Sequence, residues 1–383
     1  MVRPSAVAFA AALLLAPATA QAEPAGAAAR LQAAIEELAA ADARIPGVMA
    51  VVSAPAWDLE WSGATGVVAH GSSEPLRTTD AFRIASISKV FVAATTLRLI
   101  EQGRFGLHDS MSGLVSDRTR DRLRADGYAV EDITLFHLLT HTSGLYDLSS
   151  SESYAMAVAT RPDHEWTRDE QIAFGMEHGS PVAAPGVAYN YSELSYIVLG
   201  EIIERETGLS IGDAVSRELQ LRARGLRSTY WETLQDAPAG ERRAHQYVGD
   251  IDLAAVNPSF DLHGGGGLVS TVGDLALFVR PLLKGEMFDH ATTLAMALQT
   301  PPSENGRLSH TPLLAPLKVG KRYCWSHGGF SGSYMIYCPD IDVAATIAWN
   351  QAEVPDMWAL VPSILGRAIE DIEQEAKAGD RRP

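Results

Sequence analysis

The β-rich segments of this chain lie near its two ends, and this arrangement limits the folds open to it. Short runs with strand character follow Gly47 and Gly63, and three more, "RYCWSH", "SYMIYC" and "VAATIAWN", follow Lys321. Gly or Pro-Asp turns separate the later runs, which favours antiparallel neighbours. The stretch between carries helical spacing instead, clearest in "ITLFHLLTH" and "LSYIVLGEIIERETG". The pattern predicts an α+β fold in which one antiparallel sheet is built from both termini, with flanking helices and a mostly helical second lobe inserted.

Helical periodicity also sets the expected lobe boundaries. We expect helices at about 25–41, 86–102, 272–283 and 358–376. The sequence contains no internal repeat and no low-complexity linker. We therefore predict one domain over 23–383, with an α/β lobe at about 25–108 and 265–376 and a helical lobe at about 109–264.

The first 22 residues have the composition of a signal peptide. Arg3 precedes an apolar run from Ala6 to Leu15, and Ala20-Gln21-Ala22 offers small residues where signal peptidase cuts. That run is too short to span a bilayer, and no later stretch is long and apolar enough. The sequence predicts an exported protein without a membrane span, periplasmic or secreted after removal of the signal peptide.

The charge of the chain argues against two classes of partner. It carries 31 basic and 47 acidic residues, a formal net charge of −16. An acidic body repels phosphate backbones and anionic lipid headgroups, so we expect neither nucleic acid nor a membrane surface as partner. The sequence has no P-loop and no Gly-x-Gly-x-x-Gly, and we expect no cofactor. Oligomeric state is left open.

The two cysteines, Cys324 and Cys338, offer one disulfide. A hairpin centred on Ser331 would place them directly opposite each other, at a distance that a disulfide can close. Export would permit such a bridge. Two buried, reduced thiols are the alternative, and the residues leave both open.

Ser86 and Lys89 stand three residues apart at the start of a predicted helix. Lys89 then lies one turn after Ser86 on the same face, with its amine within reach of the serine oxygen. The free N–H groups and the macrodipole at a helix start favour a developing anion. Burial beside other cationic or apolar groups would leave the amine neutral and able to take the serine proton. The alternative is a polar helix start with a lysine that extends to solvent.

Five blocks connect this pair to a known family. They are "FRIASISK", "ITLFHLLTHTSGL", "PGVAYNYSELSYIVLGEIIERETG", "GGGGLVSTVGDLALFVRPLL" and "SHGGFSGSY". Their order and spacing resemble the serine β-lactamase and penicillin-recognising family, and are most similar to its class C branch, with D-alanyl-D-alanine carboxypeptidases, D-aminopeptidases and esterases. The resemblance runs from about residue 45 to residue 370. It implies the β-lactamase/transpeptidase-like fold and acyl transfer to a serine.

The resemblance also implies a role for each matching residue. Ser86 matches the nucleophile, and Lys89 matches its partner in proton transfer. Tyr191 matches the tyrosine of the Tyr-x-Asn element, whose phenol exchanges protons with the nucleophile and the leaving group. The backbone N–H groups of Ser86 and Phe330 would form the oxyanion hole. A phenol shares a proton well when a nearby cation lowers its pKa, and Lys89 would be that cation.

The third motif of the family falls on His327, Gly328 and Gly329, where the substrate would lie along the strand edge. Gly329 is expected to be small because a side chain there would crowd that substrate. His327 stands where β-lactamases of this branch usually carry lysine. A histidine is mostly neutral at pH 7 and therefore holds a substrate carboxylate less firmly.

A second departure from the family is Glu193, which replaces the asparagine of Tyr-x-Asn. An ionised carboxylate can only accept hydrogen bonds, so a donor to an acylamide substrate is lost. Glu193 would also pair with Lys89 and hold it charged. Both departures favour the peptidase and esterase branches over β-lactam hydrolysis.

These observations lead to one principal functional hypothesis and two alternatives. We expect a serine hydrolase that acts through an acyl-serine on an amide or ester, either a D-amino-acid peptide, such as one derived from peptidoglycan, or a small ester. A class C-type β-lactamase is one alternative, and a non-hydrolytic penicillin-binding or sensor domain is the other.

Three further patterns have competing interpretations. "GLSIG" at 208–212 fits a Gly-x-Ser-x-Gly nucleophile elbow, but an elbow needs a strand before it and this segment follows a helical run. "HGGGG" at 263–267 resembles an oxyanion loop, but such a loop precedes the nucleophilic serine in the sequence and this one follows Ser210. Ser210 is better explained as a helix cap. His137 and His141 have zinc-ligand spacing, but no third ligand is evident, so we expect no metal.

Overall fold

The computed structural model describes residues 26–300 and 310–379 of the chain, and the predicted signal peptide lies outside the described residues. The helices are α1 (Ala27–Ala39), α2 (Ser88–Glu101), α3 (Asp117–Ala125), α4 (Leu135–Leu139), α5 (Glu152–Thr160), α6 (Arg168–His178), α7 (Glu193–Thr207), α8 (Ile211–Glu218), α9 (Val272–Leu283), α10 (Ala291–Ala297) and α11 (Met357–Gly379). The strands are β1 (Gly47–Ala54), β2 (Leu59–Gly66), β3 (Phe82–Arg83), β4 (Tyr230–Trp231), β5 (Tyr247–Val248), β6 (Ile251–Asp252), β7 (Leu268–Ser270), β8 (Ala315–Val319), β9 (Arg322–Gly329), β10 (Ser333–Cys338) and β11 (Val343–Ala348).

The main sheet joins the two ends of the chain, as the sequence predicts. Its strand order is β2-β1-β11-β10-β9-β8, and each neighbouring pair is antiparallel. The first strand, β1, pairs with the last strand, β11, and Met49 lies opposite Ala348. This arrangement confirms the predicted α+β fold class and the sheet built from both termini.

Side chains of the sheet alternate between two hydrophobic layers. Ile336 packs with α1 and α11 on one face, whereas its neighbour Met335 packs with the core that contains α9 and α2 on the other. Successive residues of a strand point to opposite faces, and here both faces are covered. The rings of Phe91 in α2 and Phe278 in α9 stack with their centres 3.7 Å apart. Helix α2 is therefore fixed against the sheet layer.

The hairpin of β9 and β10 settles the state of the cysteines. Tyr337 pairs with Trp325, so the next residues of the register, Cys338 and Cys324, stand opposite each other. Their Cα atoms are 4.3 Å apart and a disulfide joins them. Of the two alternatives, a disulfide and two reduced thiols, the disulfide is the correct one.

Some predicted boundaries were wrong by several residues. The second strand was expected to follow Gly63 but runs from Leu59 to Gly66, because Asp58 takes a left-handed conformation (φ 50°) and starts the return strand earlier. Strand β8 was not predicted; its Pro316 is tolerated because β8 lies at the edge of the sheet. Among the described residues, no helix is long and apolar enough to cross a membrane.

Candidate active site

Ser86 lies in a 3-10 turn, Ala85–Ile87, which leads directly into α2. The sequence predicted a regular helix start at this serine, but Ala85 adopts a left-handed conformation with φ of 46°. A non-glycine residue there stores strain, and such strain is common at functional sites. The turn leaves the Ser86 side chain half-buried, facing a cavity of about 690 Å³. Ser86 is therefore accessible to a small molecule.

Lys89 is fully buried and has three hydrogen-bond acceptors. Its Nζ lies 3.0 Å from Ser86 Oγ, 2.6 Å from Glu193 Oε2 and 2.6 Å from the carbonyl oxygen of Gly265. Three acceptors match the three hydrogens of an ammonium group. The contact between Ser86 and Lys89 that the sequence predicted is present.

The charge state of Lys89 follows from its surroundings. Burial lowers its pKa, but the negative charge of Glu193 raises it, with further contributions from Tyr191 and Asp261, and the net pKa is raised. A neutral amine was expected for burial beside cationic or apolar groups, and this condition is not met because a carboxylate is buried with Lys89. The prediction that Glu193 would hold Lys89 charged is confirmed.

Tyr191 completes the group of proton-bearing side chains. It precedes α7, whose N-cap Ser192 accepts a hydrogen bond from the Ser195 amide and so fixes the start of the helix. Its ring centre is 5.2 Å from Lys89 Nζ, and its side chain lines the same cavity as Ser86. Burial raises the pKa of Tyr191 and Lys89 lowers it, with a net increase. Lys89 thus lowers the pKa of the phenol as predicted, but burial has the larger effect, and the phenol is protonated at neutral pH.

The glycine run after His263 has a different role from the oxyanion loop considered above. A Cβ atom on Gly265 would overlap the Glu193 carboxylate, and one on Gly266 would overlap the carboxylate of Asp261. Glycine allows the backbone to approach both acids closely, and it places the Gly265 carbonyl against Lys89. The run therefore forms a tight loop around the charged centre.

Asp261 is a site residue that the sequence analysis missed. Its half-buried side chain lines the cavity beside Ser86 and Glu193. Burial raises the pKa of Asp261 well above its ordinary value, and the charge of Glu193 raises it further. The only sequence signal was the adjacent glycine run, since consecutive glycines indicate a close approach of the backbone to another group.

Two neutral histidines line the cavity. His327 Nδ1 lies 2.9 Å from the Gly328 carbonyl and His310 Nδ1 lies 2.7 Å from the Thr311 carbonyl, so Nδ1 carries the proton in both rings. Burial lowers the pKa of His327 to about 3 and that of His310 to about 4. His327 is thus neutral, as predicted. His310 was missed because no sequence motif marks it.

The end of β9 lies against the turn that carries Ser86. A Cβ on Gly329 would overlap the Ile84 carbonyl, so contact with this turn already requires glycine there, in addition to the predicted need of a substrate. A Cβ on Gly328 would contact the Trp358 ring at 2.6 Å. Within residues 26–300 and 310–379, the backbone N–H groups of Ser86 and Phe330 donate to no backbone carbonyl. Both amides are available to a ligand.

The competing motifs have structural roles. Gly208 ends α7 with φ of 67°, and Ser210 caps α8 by accepting from the Asp213 amide, as predicted. His137 lies in α4, whereas His141 follows that helix with φ of 55° and accepts from the Ser192 amide through Nδ1. The part of the chain that the structure describes contains no cluster of His, Cys, Asp or Glu arranged to hold a metal.

Comparison with known proteins identifies the family. Residues 31–361 match the Beta-lactamase family. The chain belongs to this family. It is 33% identical over 192 residues to the esterase EstB of Burkholderia gladioli (49% of this chain, 47% of the relative) and 26% identical over 261 residues to penicillin-binding protein 4* of Bacillus subtilis (63% and 53%). It spans about half the length of these curated relatives.

A solved structure extends the similarity over more of the chain. A D-stereospecific amidohydrolase from Streptomyces superimposes with a TM-score of 0.73 and 25% identity, over 87% of this chain and 97% of that protein. The fold described above is therefore the β-lactamase/transpeptidase-like fold.

Proposed function

We propose that this protein is a serine hydrolase that cleaves amides or esters through an acyl-Ser86 intermediate. The observation that carries the proposal is the 3.0 Å hydrogen bond between Lys89 Nζ and a Ser86 hydroxyl that faces an open cavity. Ser86 Oγ attacks the substrate carbonyl, and the N–H groups of Ser86 and Phe330 bind the oxyanion. Such preorganised donors usually contribute most to catalysis of acyl transfer.

The proton transfers have to begin from a charged Lys89. As the Ser86 oxygen bonds to the carbonyl carbon, its proton passes to Lys89 Nζ, while Lys89 passes a proton to Glu193 Oε2, 2.6 Å away. The carbonyl π electrons become the oxyanion lone pair. When the intermediate collapses, Tyr191 donates its phenolic proton to the leaving group and regains one from Lys89. Water then releases the acyl group by the same steps in reverse.

The charges of the cavity support a substrate without a free carboxylate. The lining contains the carboxylate of Glu193, while His310 and His327 are neutral at pH 7. Among the described residues, no lysine or arginine lines the cavity. The Streptomyces amidohydrolase and EstB, by their names, act on amides and esters. We therefore favour an amidase or esterase over a carboxypeptidase or β-lactamase.

The test is a substrate panel with two serine variants. We expect p-nitrophenyl acetate or a D-amino-acid amide to be hydrolysed, and nitrocefin to be turned over slowly. Ser86→Ala should abolish these activities, whereas Ser210→Ala should retain them, since Ser210 belongs to the rejected elbow motif. Activity that survives in Ser86→Ala would show that the nucleophile is assigned wrongly. Rapid nitrocefin turnover would favour the β-lactamase, and a stable acyl adduct without turnover the sensor domain.

We propose further that the protein is exported. The Cys324–Cys338 disulfide supports this location, since such bridges persist in oxidising compartments. Mass spectrometry of protein recovered from a bacterial periplasm tests it: the expected N-terminus follows Ala22, and protein retained in the cytoplasm would contradict the proposal.

A further inference from the structure

The cavity beside Ser86 has two apolar sides. One side comes from helix α5 and the β5–β6 hairpin with the chain that follows it, and its apolar residues are Leu148, Ala155, Val158, Ala159, Val248, Ile251, Leu253 and Val256. A second apolar part of the lining comes from β8 and from Trp358 of α11, whose ring lies close to Gly328. A volume of about 690 Å³ is within the range of cavities that hold drug-sized ligands. The space is far larger than an acetyl group needs.

The apolar character continues to the rim. The side chains of Ile251 and Phe330 line the cavity and are nevertheless 46% and 38% exposed. Phe330 contacts Phe260 edge-to-face, with ring centres 6.2 Å apart. Large apolar side chains that cluster in the exposed part of a cleft indicate a surface that a ligand covers.

The carboxylate of Glu193 lies at the end of the cavity beside the nucleophile, since it contacts the lysine that hydrogen-bonds Ser86. Ser86, Tyr191 and Glu193 occupy that end together with Asp261, whereas the α5 side presents only the Ser149 and Ser151 hydroxyls and the Tyr154 phenol among its polar groups. The Tyr154 phenol donates to the Phe260 carbonyl and accepts from Gln171, so it is already satisfied. A charged substrate group on this side would lose its hydration without gaining a partner.

We propose that this side of the cavity binds a bulky, uncharged apolar group of the substrate, a medium-length alkyl chain or an aromatic ring. The inference rests on the proposed function and defines the substrate class of that site. Each methylene removed from water contributes to binding, and it raises kcat/KM when the contact persists in the transition state.

A chain-length series tests the proposal. We expect kcat/KM to rise about fourfold per added methylene from p-nitrophenyl acetate to the butyrate, and to rise further to the octanoate until the cavity is filled. An ester whose chain ends in a carboxylate, p-nitrophenyl hemiglutarate, should react more slowly than the neutral ester of equal length. A parallel series of alkyl acetates shows whether the apolar group belongs to the leaving alcohol instead.

Two variants separate the cavity from the general surface. Ile251→Ser should lower the octanoate-to-acetate ratio of kcat/KM about tenfold, because Ile251 lines the cavity. Met156→Ser is the control: Met156 is 63% exposed on α5 but does not line the cavity, and its variant should keep the wild-type ratio. Two results would overturn this inference and leave the proposed function intact: Ser86-dependent hydrolysis whose kcat/KM does not change with chain length in either series, or hydrolysis that is fastest for the carboxylate ester. Loss of Ser86 dependence would overturn both.

Discussion

The two ends of the active-site cavity are built in different ways. The catalytic floor, which we define as Ser86, Lys89, Tyr191 and Glu193, is held by the starts of the long helices α2 and α7, and its ionic groups are buried. The apolar wall, which we define as the cavity-lining residues of α5 and of the segment 248–256, rests on a nine-residue helix and two-residue strands and is partly exposed. Under the proposed function, the chemistry would depend on the part of the cavity built on long helices, and substrate selection on the part built on short elements.

The two regions also differ in the source of their stability. The floor buries an ion pair, which costs desolvation energy and is retained only because every partner is present. The exposed residues of the wall, such as Ile251, contribute less to folding, so shortening one of them should cost little stability. A substitution in the floor should therefore affect activity and folding together, whereas one in the wall should affect the choice of substrate.

The largest effect is expected for Lys89→Met. The variant removes the amine that hydrogen-bonds Ser86 and leaves the Glu193 carboxylate buried without its cation. We expect kcat/KM for p-nitrophenyl acetate to fall about a thousandfold. The free energy of unfolding, measured in urea, should fall by about 3 kcal/mol. Lys321→Met, at a lysine whose side chain is 88% exposed, should change neither. A Lys89 variant with near wild-type activity would contradict the proposed proton path.

The floor was largely predictable from the sequence, and the wall was not. The positions of Ser86, Lys89, Tyr191 and Glu193 followed from ordered motifs, because each motif sits at the start of a helix or just before one. The charge state of Lys89 could not be deduced from its burial alone, since the outcome depends on how closely a second buried group approaches. Local patterns give residue identity but not such distances.

The residues that were missed share a physical cause. Asp261 ends a short 3-10 helix, Pro258–Asp261, and His310 lies outside any helix or strand. Neither segment carries a sequence periodicity, and the position of both residues depends on how distant parts of the chain pack. The wall is likewise assembled from α5 and a hairpin about 90 residues later in the sequence. Alternating or helical patterns identify a buried face but not its partner, so the shape of the cavity could not be deduced.

The next largest effect is expected for Gly265→Ala. The added methyl group would overlap the Glu193 carboxylate and force the floor to shift away from Lys89. We expect kcat/KM to fall about a hundredfold, because displacement of about 1 Å in an active site costs that much. Gly273→Ala is the matched control: the nearest atom to its added methyl group is Thr271 Oγ1, 3.8 Å away. Full activity in Gly265→Ala would show that the glycine loop does not position Glu193.

The smallest effect concerns stability in acid and tests whether the His310 ring, which lines the cavity, is uncharged. His310 has a pKa of about 4 in the folded protein against about 6.5 when unfolded. Below pH 6.5 the unfolded chain binds a proton that the folded one does not. The contribution of His310 to the free energy of unfolding is therefore complete above that pH and falls as the pH drops toward 4.

Between pH 7 and pH 5 the loss from His310 should be about 2 kcal/mol, measured by urea unfolding. His310→Gln should reduce the loss by that amount, whereas His178→Gln, at an exposed histidine, should leave it unchanged. An equal acid sensitivity in wild type and His310→Gln would mean that burial does not lower the pKa of this ring, and would contradict the prediction.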